Sequence, residues 1–466
     1  MASLHRDFTE GSIRDHLVRF SLPFLLSNFV QALYSVADMW IVGKFTPVDG
    51  VNALAGVTNG AQVTNLIVMM VSGLTVGGTI LVSQFFGARR DRDVSETIGT
   101  MLSVMALLGA ALTIAMIAAS GWILRLMNVP EAAFAHAKRY TDICLLGTLF
   151  IFGYNAVSAV QRGLGDSKRP LIFVSIACAL NVGLDLLLVG AFGMAAAGAA
   201  WATIASQAVS LVLSAWYLSR RGFAFDFRLS SFRIRRDKLA LIIKLGLPSS
   251  VQSTITSFSF MFMTGIVNTF GNKASAAVGI VGRFNSFAIL PAIAMSAAVS
   301  SMAAQNIGAG LYDRATKAAR YGIAIAFAMS AAVFAIAQLF PSQIMSMMLN
   351  QYDAQVVEYG TRYIRGFALD YLVVPFVFCM NGLLNGAGHT SFTLLNSMLA
   401  SVLLRAPAAY LLSKTDLQLA GVGLAAPAAS LAAGLLAAGY LLSGRWRKNP
   451  TGIRRESAEE ALPAEL

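Results

Sequence analysis

Twelve apolar stretches follow one another along this chain, beginning near Leu17, Ala53, Ile98, Tyr140, Pro170, Met194, Leu239, Ala276, Ala318, Tyr363, Phe392 and Leu419. Each runs to roughly 20–30 residues, enough for a helix to cross ~30 Å of hydrocarbon at 1.5 Å per residue. Backbone inside lipid must satisfy its own hydrogen bonds, which leaves only helices and closed barrels. Barrels show alternating segments of about ten residues, and that pattern is absent from the sequence. The chain is 56% hydrophobic and 12% charged, against about 25% charged in a soluble domain. An all-α polytopic membrane protein with twelve transmembrane helices is predicted.

The net charge of +12 invites a nucleic-acid reading, but its placement argues otherwise. With twelve spans, the termini and the even-numbered connections share one side. That side carries 24 Lys and Arg against 8 on the other, with Lys244, Arg283 and Arg405 inside spans. The positive-inside rule then places both termini in the cytoplasm of a multi-pass protein of the inner membrane. Topology accounts for the charge and no nucleic-acid partner is implied. The three cysteines, Cys144, Cys178 and Cys379, fall in separate spans without metal-ligand or disulfide spacing. His5, His16, His136 and His389 are scattered. No cleavable signal peptide is recognised, because charged residues, Arg6, Asp7, Glu10, Arg14 and Asp15, precede the first apolar run. Ser12 and Asp15 are spaced like a capping box on a surface helix.

The chain repeats itself. Phe20-Ser21-Leu22-Pro23 answers to Leu245-Gly246-Leu247-Pro248, Gln84-x-x-Gly87-Ala88 to Gln305-x-x-Gly308-Ala309, and Gly163-x-Gly165-Asp166 to Gly386-x-Gly388-His389. Each half holds six spans, so the halves insert in the same orientation, as parallel repeats about an axis along the membrane normal. The predicted fold is two parallel-repeat six-helix lobes related by a pseudo-twofold along that normal. The divisions are a cytoplasmic segment 1–16, an N-terminal lobe 17–219, a basic linker 220–238, a C-terminal lobe 239–443 and a disordered cytoplasmic tail 444–466. Prolines inside spans, among them the matched Pro23 and Pro248, bend their helices.

Of the acidic residues, Asp38, Asp185 and Asp370 lie well inside spans, where carboxylates are costly and usually functional. Gln31, Tyr34 and Asp38 share one face of the first helix, and Asn181 and Asp185 one face of the fifth. Asp38 and Asp185 fall at a similar depth in the first lobe, and no basic residue there is placed to neutralise them. Such a pair binds a proton, or, with Asn181, holds Na+ through oxygen ligands; the bland alternative is hydrogen bonding between neighbouring helices. In the second lobe Asp370 either forms an internal ion pair with Arg283 or Arg405 or contacts substrate or coupling ion directly. Met261 and Met263, in a run rich in Phe, either line an adaptable cavity or face lipid.

These residues resemble the multidrug and toxic-compound extrusion (MATE) transporters, over about Thr9 to Leu442. The likeness is carried by Pro23, Gln31-x-x-Tyr34-x-x-x-Asp38, Val42-Gly43, Gln84-x-x-Gly87-Ala88, Arg162-Gly163-x-Gly165-Asp166, Asn181-x-x-x-Asp185 and Gln305-Asn306-x-Gly308-Ala309. The sequence looks like the prokaryotic branch whose polar cluster lies in the N-terminal lobe. The resemblance implies efflux of amphipathic, often cationic compounds in exchange for H+ or Na+ by alternating access. It also implies that Asp38, Asn181 and Asp185 bind the coupling ion, with Gln31 and Tyr34 beside them and Thr203 matching a further position. Residues 239–270 contain no acid, a departure from branches that carry a Glu in the seventh helix.

The rival reading is a flippase for lipid-linked oligosaccharide precursors, which shares the two-lobe design but needs a more cationic cavity for pyrophosphate. An intramembrane enzyme would need a nucleophile–base or metal-ligand arrangement within a span, and there is none. The expected protein is therefore a non-enzymatic antiporter without cofactor. Its partners would be small amphipathic or cationic substrates and membrane lipid, and it would act as a monomer.

Overall fold

The computed structural model describes residues 6–46, 50–219, 224–349 and 352–454, and among these no strand forms. The first half runs through α1 Ile13–Phe45, α2 Gly50–Gly87, α3 Asp91–Leu126, α4 Glu131–Leu146, α5 Thr148–Gly163, α6 Lys168–Asp185 and α7 Ala195–Ser219. The second comprises α8 Arg236–Asn268, α9 Asn272–Ala288, α10 Leu290–Gly308, α11 Tyr312–Leu339, α12 Pro341–Met347, α13 Ala354–Phe367, α14 Asp370–Gly386, α15 Thr390–Met398, α16 Ala406–Ser413 and α17 Gln418–Leu442. Two π-helical segments, Leu186–Ala191 after α6 and Leu399–Arg405 after α15, widen the fifth and eleventh spans.

Among the described residues nine helices are long and apolar enough to cross a membrane. The pairs α4–α5 and α13–α14, bent by 51° and 44°, each make one more. The twelfth of the predicted spans is α8, whose 33 residues suffice in length but include many serines and threonines. Several of its hydroxyls are satisfied locally. Ser253, Thr254, Thr256 and Ser257 each donate to the carbonyl four residues back, at 2.9–3.1 Å, so the helix hides its polarity from lipid.

The described chain divides into two compact units. One holds residues up to 6, 26–82 and 90–246; the other holds 7–25, 83–89 and 247 onward. The changes of unit in α1 and α8 fall beside Pro23 and Pro248, the matched prolines. Within the first unit, the end of α5 lies on α2 so closely that a Cβ at Gly163 would stand 3.0 Å from the Thr79 carbonyl oxygen. Within the second, α14 lies on α10 in the same manner, and a Cβ at Gly386 would meet the Ser300 oxygen at 2.5 Å. The repeat read from the sequence is thus a repeat of helix packing.

The segments flanking the helices are also placed. Residues 7–11 lead into α1 with Phe8 buried, and the Asp15 N–H meets Ser12 Oγ at 3.5 Å. In the linker, Lys238 pairs with Asp93 and Asp237, and Arg235 lies 3.4 Å from Glu96. Beyond α17, Arg445–Arg447 form a single 3-10 turn with Trp446 buried. Residues 1–5 of the N-terminal segment, 220–223 of the linker and 455–466 of the tail lie outside the described residues.

Candidate functional site

Three helices of the first unit bring the polar cluster together. α1 supplies Tyr34 and Asp38 one turn apart, α6 supplies Asn181 and Asp185 in the same relation, and α7 supplies Thr203. Asp38 is 6% exposed, Asn181 1% and Asp185 fully buried. The two carboxyl groups lie close enough to interact electrostatically. Asp38 Oδ1 and Asp185 Oδ1 are nonetheless buried without a partner.

The remaining polar atoms are fixed in sequence. The Asn181 amide takes the orientation its network dictates: Nδ2 donates to Asp185 Oδ2 at 2.9 Å and Oδ1 accepts from the Thr203 N–H at 3.2 Å. Thr203 Oγ1 donates to the Ala199 carbonyl at 2.9 Å, so at 3.4 Å from Tyr34 Oη it acts as acceptor. Asp185 is the last α-helical residue before the π turn Leu186–Ala191. A π turn adds a residue to the helix and is frequent at functional sites.

Two further side chains belong here. Tyr140 and Cys144, one turn apart on α4 and both buried, lie within electrostatic reach of Asp38. α4 approaches because α2 turns glycines toward it: a Cβ at Gly60 would be 2.7 Å from the Tyr140 ring, and one at Gly56 2.5 Å from His136. Sequence pattern alone assigns Cys144 to packing and does not single out Tyr140. The one signal is their spacing of four along α4, a helix that also carries Lys138, Arg139 and Asp142. Gln31 is exposed on α1, apart from the buried pair.

The second unit arranges its charges differently. Asp370 opens α14, 8% exposed, beside Ser430 and in the field of Arg405. Among the described residues no ion pair joins it to either arginine. Arg283 is exposed on α9, and Arg405 lays its guanidinium over the Phe260 ring, 4.2 Å from the centroid. A cavity of about 240 Å³ opens nearby, with Phe260, Met263, Asn268, Asn285, Tyr363 and Phe367 on its walls. Gly279 and Gly282 also line it, and a Cβ at either would meet nothing within 4 Å. Met263 therefore faces the cavity, whereas Met261 is 68% exposed and away from it. Among the described residues no group of three or more His, Cys, Asp and Glu is placed to hold a metal ion.

Known proteins of the same build were found by sequence and by structure. The MatE family model matches residues 23–187 and 248–411, once in each half. The probable multidrug resistance protein YpnP of Bacillus subtilis is 30% identical over 95% of this chain and 97% of its own. A solved multidrug resistance MATE family transporter of the MOP superfamily, in its outward-facing conformation, superposes with a TM-score of 0.88. It is 25% identical, over 95% of this chain and 98% of that one. A MOP superfamily transporter from Pyrococcus furiosus, described as having a binding pocket of reverse polarity that suggests a different function, gives a TM-score of 0.87. Its identity is 26%, over 96% of this chain and 98% of that one.

Proposed function

The chain belongs to the MatE family, and from that premise we propose that it is a multidrug efflux transporter working by antiport. It exports small amphipathic or cationic compounds in exchange for H+ or Na+, as a multi-pass protein of the inner membrane with both termini cytoplasmic. The observation that carries the coupling is the buried Asp38–Asp185 pair, in which one oxygen of each carboxyl has no partner.

Two carboxylates cannot remain together out of water without a compensating cation. A proton shared between them meets that need, and so does a sodium ion. For sodium the free carboxyl oxygens and the hydroxyls of Thr203 and Tyr34 supply the oxygen ligands a hard cation takes, and the Asn181 amide adds one by turning its oxygen from the Thr203 N–H toward the carboxylates. Either ion makes the state of the cluster depend on a transmembrane gradient. Tyr140 and Cys144, both buried, add no charge that would offset the pair.

In the second unit, the Met263 cavity with its Phe260 and Phe367 walls suits an aromatic ring of the transported compound, and Met adapts to varied shapes. Arg405 keeps its charge over Phe260, but a pyrophosphate-lipid flippase needs a more cationic cavity than this one guanidinium supplies. The test is ethidium movement in proteoliposomes under separately imposed proton and sodium gradients, in wild type and in Asp38→Asn. Dye movement driven by one gradient and lost in the variant supports antiport and names the ion. Absence of gradient-driven movement in folded protein overturns the reading.

A further inference from the structure

The Gln-x-x-Gly-Ala motif that closes α2 and recurs at the end of α10 takes no part in the ion site. Its glutamines, Gln84 and Gln305, are both fully buried, and both copies lie in the second unit, since residues 83–89 belong to it. There the two helix ends cross at their glycines. A Cβ at Gly87 would fall 1.9 Å from the Gln305 carbonyl oxygen, and one at Gly308 would fall 2.0 Å from that of Gln84. Each glycine thus seats the backbone of the opposite glutamine, an approach no side chain permits.

The glutamine side chains hold something else. Gln305 Oε1 accepts the Phe8 N–H at 2.9 Å, and Asn306 Nδ2 donates to the Phe8 carbonyl at 3.2 Å. Arg314 donates to the carbonyls of Phe8, Glu10 and Gly11 at 2.6–3.0 Å. The Phe8 ring, 1% exposed, packs edge-on against Phe20. At the other motif, Gln84 Oε1 accepts from Thr451 Oγ1 at 2.6 Å, and Gln84 Nε2 donates to the Gly386 carbonyl at 2.8 Å. His389 Nε2 faces the Trp446 and Lys448 carbonyls at 3.1 and 3.0 Å, with the Tyr440 hydroxyl 3.1 Å from its Nδ1. Repeat-equivalent glutamines therefore each bind a strap, one from the start of the chain and one from its end.

We propose that this arrangement is a latch within the second unit, with the glycine-seated crossing of α2 and α10 as its closed position. The two straps, gripped by Gln84 and Gln305, hold it closed, and each transport cycle releases it. The crossing is suited to opening because glycine meets backbone there, at Gly87 and at Gly308. Among the contacts that span it, Arg89, just past α2, donates to Asp7 of the first strap at 2.7 Å, and Thr451 of the second strap donates to Gln84. The cyclic role rests on the transport reading above, whereas the closure does not.

Ala88, 2% exposed beside the crossing, reports on the latch as Ala88→Cys. Its labelling by a membrane-impermeant maleimide is read peptide by peptide in a mass spectrometer, so the native cysteines stay. In purified protein at rest, the double variant Gln84→Ala/Gln305→Ala is expected to label roughly tenfold faster than its parent, the effect of losing buried hydrogen bonds. Gly87→Ala gives the same direction if it folds, and the glutamine variant decides the matter if it does not. In proteoliposomes, labelling of the parent rises while ethidium is being transported. Equal labelling with and without the glutamines overturns the latch, as does dye movement with labelling held at its resting rate. If no dye moves under any gradient, the transport reading fails instead, and the resting comparison still tests the closure.

Discussion

Asp38 and Asp185 each keep one buried oxygen without a partner among the described residues, and on the proposed reading a cation offsets the charge of the pair. Replacing either with the neutral amide removes that need. Asp185→Asn is expected to abolish gradient-driven dye export while the protein elutes and melts as folded material, and full activity in a transport assay would refute the assignment. Asn181 and Asp185 were legible because two polar groups four residues apart share a helix face, and such a face is costly to leave in lipid. Tyr140 and Cys144 were not, since an aromatic and a thiol in a helix look the same whether they pack against lipid or against a carboxyl group. His389 offers a different residue-scale test. Partial burial between Tyr440 and the Trp446 and Lys448 carbonyls holds its pKa below the usual 6.5. The folded form then binds the proton less readily than the unfolded one, so its contribution is whole above about pH 6.5 and is lost as pH falls toward the folded value. Hydrogen exchange of residues 446–453, corrected for intrinsic rates, is expected to speed up as pH drops below that point. In His389→Gln the dependence should flatten.

At the scale of elements, the two π segments and the glycine crossings do what apolar runs alone cannot. The turn at Leu186–Ala191 adds a residue just beyond Asp185 and so sets which way the rest of the fifth span faces. Deleting Leu187 should restore a regular helix there, leave membrane insertion intact and reduce dye transport severely; transport at the wild-type rate would show that the π turn is incidental. In the first unit α2 and α8 meet at Gly77 and Gly246, where a Cβ on Gly77 would lie 2.7 Å from the Ile242 carbonyl oxygen. Gly77→Leu overfills that crossing and should destabilise the protein by about 1–3 kcal/mol, measurable as an earlier denaturation midpoint in detergent. The repeated Gln-x-x-Gly-Ala motif was plain in the sequence as a pattern. Its use was hidden, because a linear motif does not say which distant backbone a glycine makes room for.

For the molecule as a whole, the basic residues clustered in the even-numbered connections predict that tags at both termini resist protease added to intact cells and are cut only after permeabilisation. A tag cut in intact cells would reverse the topology. Apolar length, charge placement and internal repetition were enough to specify the all-helical membrane fold, its twelve crossings, its two like halves and its kinship. Hydrocarbon imposes a length and a polarity on every crossing segment, and those constraints are written locally, residue by residue. The sequence also marked the carboxylates, because a charge in an apolar run is conspicuous wherever the chain carries it. The packed fold was needed to establish that, among the described residues, Asp370 forms no ion pair with either arginine, that Arg405 stacks on Phe260, and that Met263 rather than Met261 meets a cavity. It alone showed that the chain's two ends are held by matched glutamines. These are choices among partners far apart in sequence. They are settled by which helix faces come to lie together, and period and composition leave those faces open.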